Sequence, residues 1–216
     1  MELLTNLYGR FSHKGIVEIL ELIDLESIPW QTRYKPSVEE AICILLARLS
    51  WPFRNKDLSP IFKRSKPYLS SVFNDVILYL YIEYLPIIEW HPILTYDRLQ
   101  YYCERIERQS PMSRRIWGFI DGTFWIISRP IKNQQIFYSG YYKAHRFKYQ
   151  GIIIPDSIIA SLMGPFSGRI NDSLIFLQSR LKSQLQELFT GKQPLFLFGD
   201  IPYSLCYYCI APYKYI

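Results

Sequence analysis

The sequence predicts an α/β domain on a mixed sheet, preceded by an all-helical region with a helix-turn-helix-like segment. Three observations carry this. Up to about residue 113 the apolar residues recur at helical spacing, as at Val38, Ala41, Ile42, Leu45, Leu46 and Leu49. From Ile116 onward the pattern changes to short apolar runs rich in aromatic and β-branched residues, separated by Gly, Pro and Asn. The charge changes at the same place. Residues 1–113 hold 13 Lys+Arg against 14 Asp+Glu, whereas residues 114–216 hold 12 against 5. The two regions are therefore divided at 113/114.

In the first region, Ser37-Val38-Glu39-Glu40 reads as a capping box opening a helix that Trp51-Pro52 stops. Ser59-Pro60 reads as the start of a short helix, since proline is suited to the first helical position. Ser65-Lys66-Pro67 repeats the signal before a longer helix over 68–84. A short helix, a tight turn and a longer helix make the helix-turn-helix shape, with Lys63, Arg64 and Lys66 at the turn as candidate phosphate contacts. An ordinary helical hairpin fits the same residues. Thr95 opens another helix that ends near Ser110-Pro111.

In the second region, 117–121 and 124–128 read as two strands linked at Gly122-Thr123. Further strands are expected at 147–154, 158–163 and 194–198. A loop is expected at 164–168, and one helix from Asp172 to about residue 189. Strands, then a helix, then a strand give a mixed sheet.

Composition excludes several classes. Apolar content of 49% is too high for a disordered chain. Four cysteines in 216 residues are not a disulfide framework, and Cys206-Tyr-Tyr-Cys209 lacks a second ligand pair, so reduced thiols are expected. No secretory leader pattern opens the chain, and the apolar stretch 76–88 is short and interrupted by Glu83. The expectation is an intracellular, non-secreted protein without a membrane partner.

The acids of the basic region point to its chemistry. Four of the five, Asp121, Asp156, Asp172 and Asp200, stand at or near the ends of apolar runs. A carboxylate beside buried apolar surface needs a counter-charge, a proton or a metal. With no Ser-His-Asp or Cys-His set, aspartates suggest metal-assisted phosphoryl chemistry, in which hard cations take carboxylate oxygens. Asp121 and Asp200 would meet if their strands were neighbours. Asp172 is either a third ligand or an N-cap, and Asp156 reads as a turn residue. The Asp-Gly-Thr of haloacid-dehalogenase-type phosphatases is excluded, since Phe119 stands where their nucleophile would be. The stretch 141–149 interleaves aromatic and basic residues. That suits either single-strand binding or a strand with an exposed basic face, and Lys143, His145, Arg146 and Lys148 are the candidate DNA contacts.

Four motifs in order resemble the DDE superfamily endonuclease domain of Harbinger-type transposases. They are Ile120-Asp121-Gly122-Thr123, then Tyr138-Ser139-Gly140-Tyr141-Tyr142-Lys143 with Lys148-Tyr149-Gln150-Gly151, then Gly164-Pro165-Phe166-Ser167-Gly168-Arg169-Ile170-Asn171-Asp172-Ser173, and Phe198-Gly199-Asp200-Ile201-Pro202-Tyr203. The resemblance implies an RNase H-like fold, here incomplete, and Mg2+ or Mn2+ as cofactor. It implies Asp121 and Asp200 as the first two catalytic acids and Asp172 at the divalent-metal site. It also implies DNA as substrate, nuclear rather than cytoplasmic placement, and a Myb-like DNA-binding partner protein. The family's third catalytic acid is a glutamate on a later helix, and 201–216 contains no acid. The expectation is therefore a C-terminally truncated transposase-derived nuclease, inactive or weak. The alternative is a non-catalytic DNA- or protein-binding remnant.

Overall fold

The computed structural model describes residues 12–50, 54–111 and 114–212, so the expected stop at Trp51-Pro52 lies outside the described residues. The chain forms two compact units, 1–85 and 86–216.

The first unit is helical: α1 (His13–Leu22), α2 (Val38–Ser50), α3 (Asn55–Phe62) and most of α4 (Lys66–Glu89). Its core joins Ala41, Ile42, Ile44 and Leu45 of α2 to Leu58 of α3 and Leu69, Val72 and Val76 of α4. Half of the expected capping box forms. The Glu40 N–H donates to Ser37 Oγ at 3.3 Å, but the Glu40 carboxylate turns to Arg64. Helix α3 begins at Asn55 rather than at Ser59, because Asp57 accepts the Arg54 N–H at 3.1 Å and opens the helix earlier. The Ser59 hydroxyl serves the other end, donating to the Arg64 carbonyl at 2.6 Å, with Lys63 left-handed at φ 53°. The three-residue turn 63–65 then leads into α4, where Ser65 Oγ accepts the Tyr68 N–H. The helix-turn-helix-like shape is thus present. By length and composition alone α4 could also cross a membrane. Its first half is packed in the helical core, where buried Asp75 accepts the Gln31 N–H at 3.3 Å.

The second unit holds the sheet and also α5 (Tyr96–Gln109). The division expected at 113/114 falls inside this unit. The reason is packing: Leu99, Tyr102 and Cys103 of α5 share one core with Trp117, Ile120 and Ile152. Strand β1 (Ile116–Ile126) is a single strand, not two, since Gly122 and Thr123 pair with Gln150 and Tyr149. Then follow α6 (Gln134–Phe137), β2 (Tyr138–Ser139), β3 (Ala144–Ile153) and β4 (Ile159–Ser167). The loop expected at 164–168 is largely strand, with Phe166 and Ser167 paired to Lys148 and Phe147. The single helix expected from Asp172 is two, α7 (Asp172–Gln178) and α8 (Leu181–Leu188). Ser179 separates them in an extended conformation, its hydroxyl donating back to the Phe176 carbonyl at 2.9 Å. β5 (Phe196–Phe198), a 3-10 turn (Ile201–Leu205) and β6 (Cys209–Ile210) complete the unit.

β1 lies between antiparallel β3 and parallel β5; β4 and β2 pair with β3, and β6 pairs with β5. An antiparallel group continued by parallel strands across one central strand is an RNase H-like mixed α/β sheet in incomplete form. The four cysteines are free thiols.

Candidate active site

β1 and β5 are parallel, with Phe119 paired to Phe198. Two residues further along the chain stand Asp121, within β1, and Asp200, just past β5 at the start of the 3-10 turn, both exposed. Their positions are equivalent relative to the paired phenylalanines, so the ladder brings both acids to the same level, mid-way along β1 and just past the end of β5. The Phe119 and Phe198 rings meet edge to face at 6.4 Å and line a cleft of about 470 Å³ with Arg105, Ile106 and Gln109.

The electrostatics agree with this proximity. The Asp200 carboxyl is pushed above its ordinary value first by burial, then by repulsion from Asp172 and Asp121. Asp121 Oδ1 accepts the Gly122 N–H at 2.7 Å.

Asp172 approaches from α7, where it is the first helical residue; Asn171 occupies the N-cap. Its carboxylate lies against Gly122. A Cβ there would overlap Asp172 Oδ1 and sit 3.0 Å from both Asp172 Cγ and Lys148 Cε. The glycine of Asp-Gly-Thr is therefore needed for close approach. Lys148 Nζ is 2.7 Å from Asp172 Oδ1, in ion-pair contact outside hydrogen-bonding angles, and donates to the Ile170 carbonyl at 3.3 Å. The Lys148 side chain is 5% exposed and that of Asp172 16%. Gln150 donates to the Asp172 carbonyl oxygen and to Tyr203 Oη, fastening α7 to the sheet.

The basic stretch 141–149 has the opposite polarity from an exposed basic face. β3 alternates inward at Arg146, Lys148, Gln150 and Ile152. Arg146 is buried between the Phe124 and Tyr142 rings, 3.9 and 3.3 Å from their centroids, and Lys148 is committed to Asp172. Neither is placed to meet DNA, because strand alternation turns the even residues of 144–152 toward the helices. Lys143 is exposed, and His145 is half-buried against Tyr138. In the first unit Lys63 and Lys66 are exposed, while Arg64 forms a bidentate pair with Glu40 at 2.7 and 3.0 Å. Asp156 sits in a turn and accepts from Tyr102 Oη at 2.7 Å and Arg98 at 2.8 Å, which hold its carboxyl below the ordinary range.

Among the described residues, no group of three or more Asp, Glu, His or Cys side chains is arranged to hold a metal ion. Asp121 and Asp200 still fit one. They offer hard oxygen donors at equivalent levels of neighbouring β1 and β5, and Asp200 carries a repulsion that a cation would relieve. Mg2+ commonly takes one or two carboxylates plus water and substrate. Asp172 does not join them, because its counter-charge is Lys148. Sequence reasoning missed Lys148 in this role, and it missed Arg129 and Arg169, which line a second cleft with His145.

No curated protein and no solved structure matches the chain. The family model described as DDE superfamily endonuclease matches residues 120–215, from β1 with Asp121 through Asp172 of α7 to Asp200 beyond β5. Over those residues the sheet-bearing part of this chain is similar to a DDE superfamily endonuclease domain.

Proposed function

We infer that the domain binds DNA and attacks its phosphodiesters with the help of one divalent cation held by Asp121 and Asp200, in the manner of a Harbinger-type transposase. The observation that carries this is the equivalent placement of the two acids, each two residues past the paired Phe119 and Phe198 of parallel β1 and β5. A bound Mg2+ or Mn2+ polarises a phosphoryl oxygen and lowers the pKa of a coordinated water. The chain's own residues orient the acids. The β1–β5 ladder sets their spacing, and the Gly122 N–H holds the Asp121 carboxylate. Lys148 keeps Asp172 neutralised beside them. With two acids free for metal, cleavage is slow.

The test is nicking of supercoiled plasmid with Mg2+ or Mn2+, alongside calorimetric Mn2+ binding. Slow metal-dependent nicking and Mn2+ binding, both lost in Asp121→Ala and Asp200→Ala, support the reading. Rapid nicking that survives both substitutions overturns it.

The commitment of Asp172 to Lys148 favours a second reading, a DNA-binding domain without catalysis. In that case Asp121→Ala and Asp200→Ala leave DNA affinity unchanged or raise it, since carboxylates repel phosphate. No nicking is then seen with any metal.

A further inference from the structure

A second cleft, of about 560 Å³, opens where β2 and α6 meet the start of β3. Arg129, Gln134, Tyr138, His145 and Arg169 line it, and among the described residues no acidic one does. Among the described residues neither guanidinium has an acidic partner. Arg129 is held by Gln134 Oε1 at 2.8 Å and Arg169 by the Gln135 carbonyl at 3.4 Å. These contacts orient the two cations without neutralising them. Tyr138, 41% exposed, packs edge-on against the His145 ring at 5.2 Å and offers an aromatic face.

The cleft is connected to the acid pair by one face of the sheet. Along this face of β1 the exposed positions are Phe119, Asp121, Thr123 and Trp125, every second residue, with Ile126 also exposed at the strand end. Trp125 is 65% exposed and meets Tyr149 edge to face at 6.3 Å. The β1 partner of Arg146 is Ile126, so His145 lies just past the end of that row. From Asp121 to Ile126 the strand covers about 17 Å at ~3.3 Å per residue. An indole with most of its surface in water, lying between a carboxylate pair and a cationic cleft, suits a base-stacking platform.

We propose that this cleft is a nucleotide-binding subsite for single-stranded DNA. Arg129 and Arg169 take a backbone phosphate, Tyr138 takes the base, and Trp125 stacks an intervening base on the way to Asp121 and Asp200. The assignment rests on the nuclease reading for the direction of the strand, while the cleft itself stands on its own lining.

The probe is fluorescein-labelled 20-nucleotide oligothymidylate, titrated by anisotropy across a salt series. Arg129→Ala/Arg169→Ala should weaken binding at least about tenfold and reduce the salt slope by about 0.7, the value for one phosphate neutralised on a single strand. Trp125→Ala should weaken binding about fivefold or more with the slope unchanged, the behaviour of a stacking contact. Arg180→Ala, an exposed cation outside the cleft, should change affinity less than about twofold. Arg129→Lys/Arg169→Lys should keep the slope, which separates charge from any folding defect in the alanine variant. An alanine double variant with parental affinity and slope overturns the subsite, as does one that loses no more than Arg180→Ala. If plasmid nicking persists in that event, the nuclease reading survives alone. If the subsite behaves as expected and the parent neither nicks DNA nor binds Mn2+, the nuclease reading fails and the subsite remains.

Discussion

Lys148→Met tests the electrostatic balance of the site most directly. In the parent, an ammonium 5% exposed stands 2.7 Å from a carboxylate 16% exposed. Removing the cation leaves Asp172 buried against Gly122 without a counter-charge. Breaking such a pair from one side costs about 3–5 kcal/mol, most of it the penalty of the stranded charge. Spread over the 86–216 unit, the unfolding entropy of ~2.1 cal/mol/K per residue comes to about 0.28 kcal/mol/K. A loss of about 3 kcal/mol then lowers Tm by about 11 °C. The double variant Lys148→Met/Asp172→Leu removes both charges and should recover most of that loss, because a well-packed apolar pair is about as stable as a buried ion pair. The assay is thermal unfolding by circular dichroism for the parent, both single variants and the double. The expected coupling is at least about 2 kcal/mol, within the range for contacting residues. Additive effects, with coupling below about 0.5 kcal/mol, would mean the contact is incidental. Mn2+ supplies a second readout. It should raise the Tm of Lys148→Met more than that of the parent, since Asp172 is then free to join Asp121 and Asp200.

Three further outcomes follow from the same geometry. Gly122→Ala should destabilise the sheet unit by about 3 kcal/mol or more, because its Cβ would overlap the Asp172 carboxylate; a melting curve within 2 °C of the parent would contradict the close approach. Asp200→Asn should raise Tm slightly at pH 7, by no more than the ~0.5 kcal/mol expected of a largely exposed charge. The sign follows from the raised carboxyl: a group that holds its proton more tightly when folded loses stability as pH rises past its ordinary value. The gain should therefore disappear as the pH falls through the carboxylate range, and a Tm drop at pH 7 would reverse the assignment. Asp156→Asn should lower Tm at pH 7, with the difference shrinking as pH falls below about 3.8, since Tyr102 and Arg98 depress that carboxyl. A difference that persists unchanged at pH 2 would point to packing instead.

Much of this was legible from residues alone. The helical period of 38–49 and the change to strands at Ile116 gave the two kinds of structure. The ordered motifs around Asp121, Asp172 and Asp200 pointed to the family that the comparison supports. Local signals were less reliable where two readings competed. Ser59-Pro60 has the chemistry of a helix start, yet the Ser59 hydroxyl closes the helix because Arg54 and Asp57 had already opened it. Gly122-Thr123 resembles a strand break, yet cross-strand pairing to β3 carries β1 through it. The division at 113/114 followed charge, which does not record that α5 packs its apolar face on the sheet.

Period-2 alternation also left one ambiguity that composition could not settle. The sequence determined that basic and aromatic residues alternate along 144–149, but not which set faces inward, because a strand has two sides and a one-residue shift exchanges them. Tertiary pairing with β1 decided it, turning Arg146 and Lys148 inward and leaving Trp125 in water. In the same way the sequence supplied three aspartates for a site. Only the folded arrangement determined that two remain available to a cation while the third is matched by a lysine, since which charges neutralise one another depends on distance in space and not along the chain.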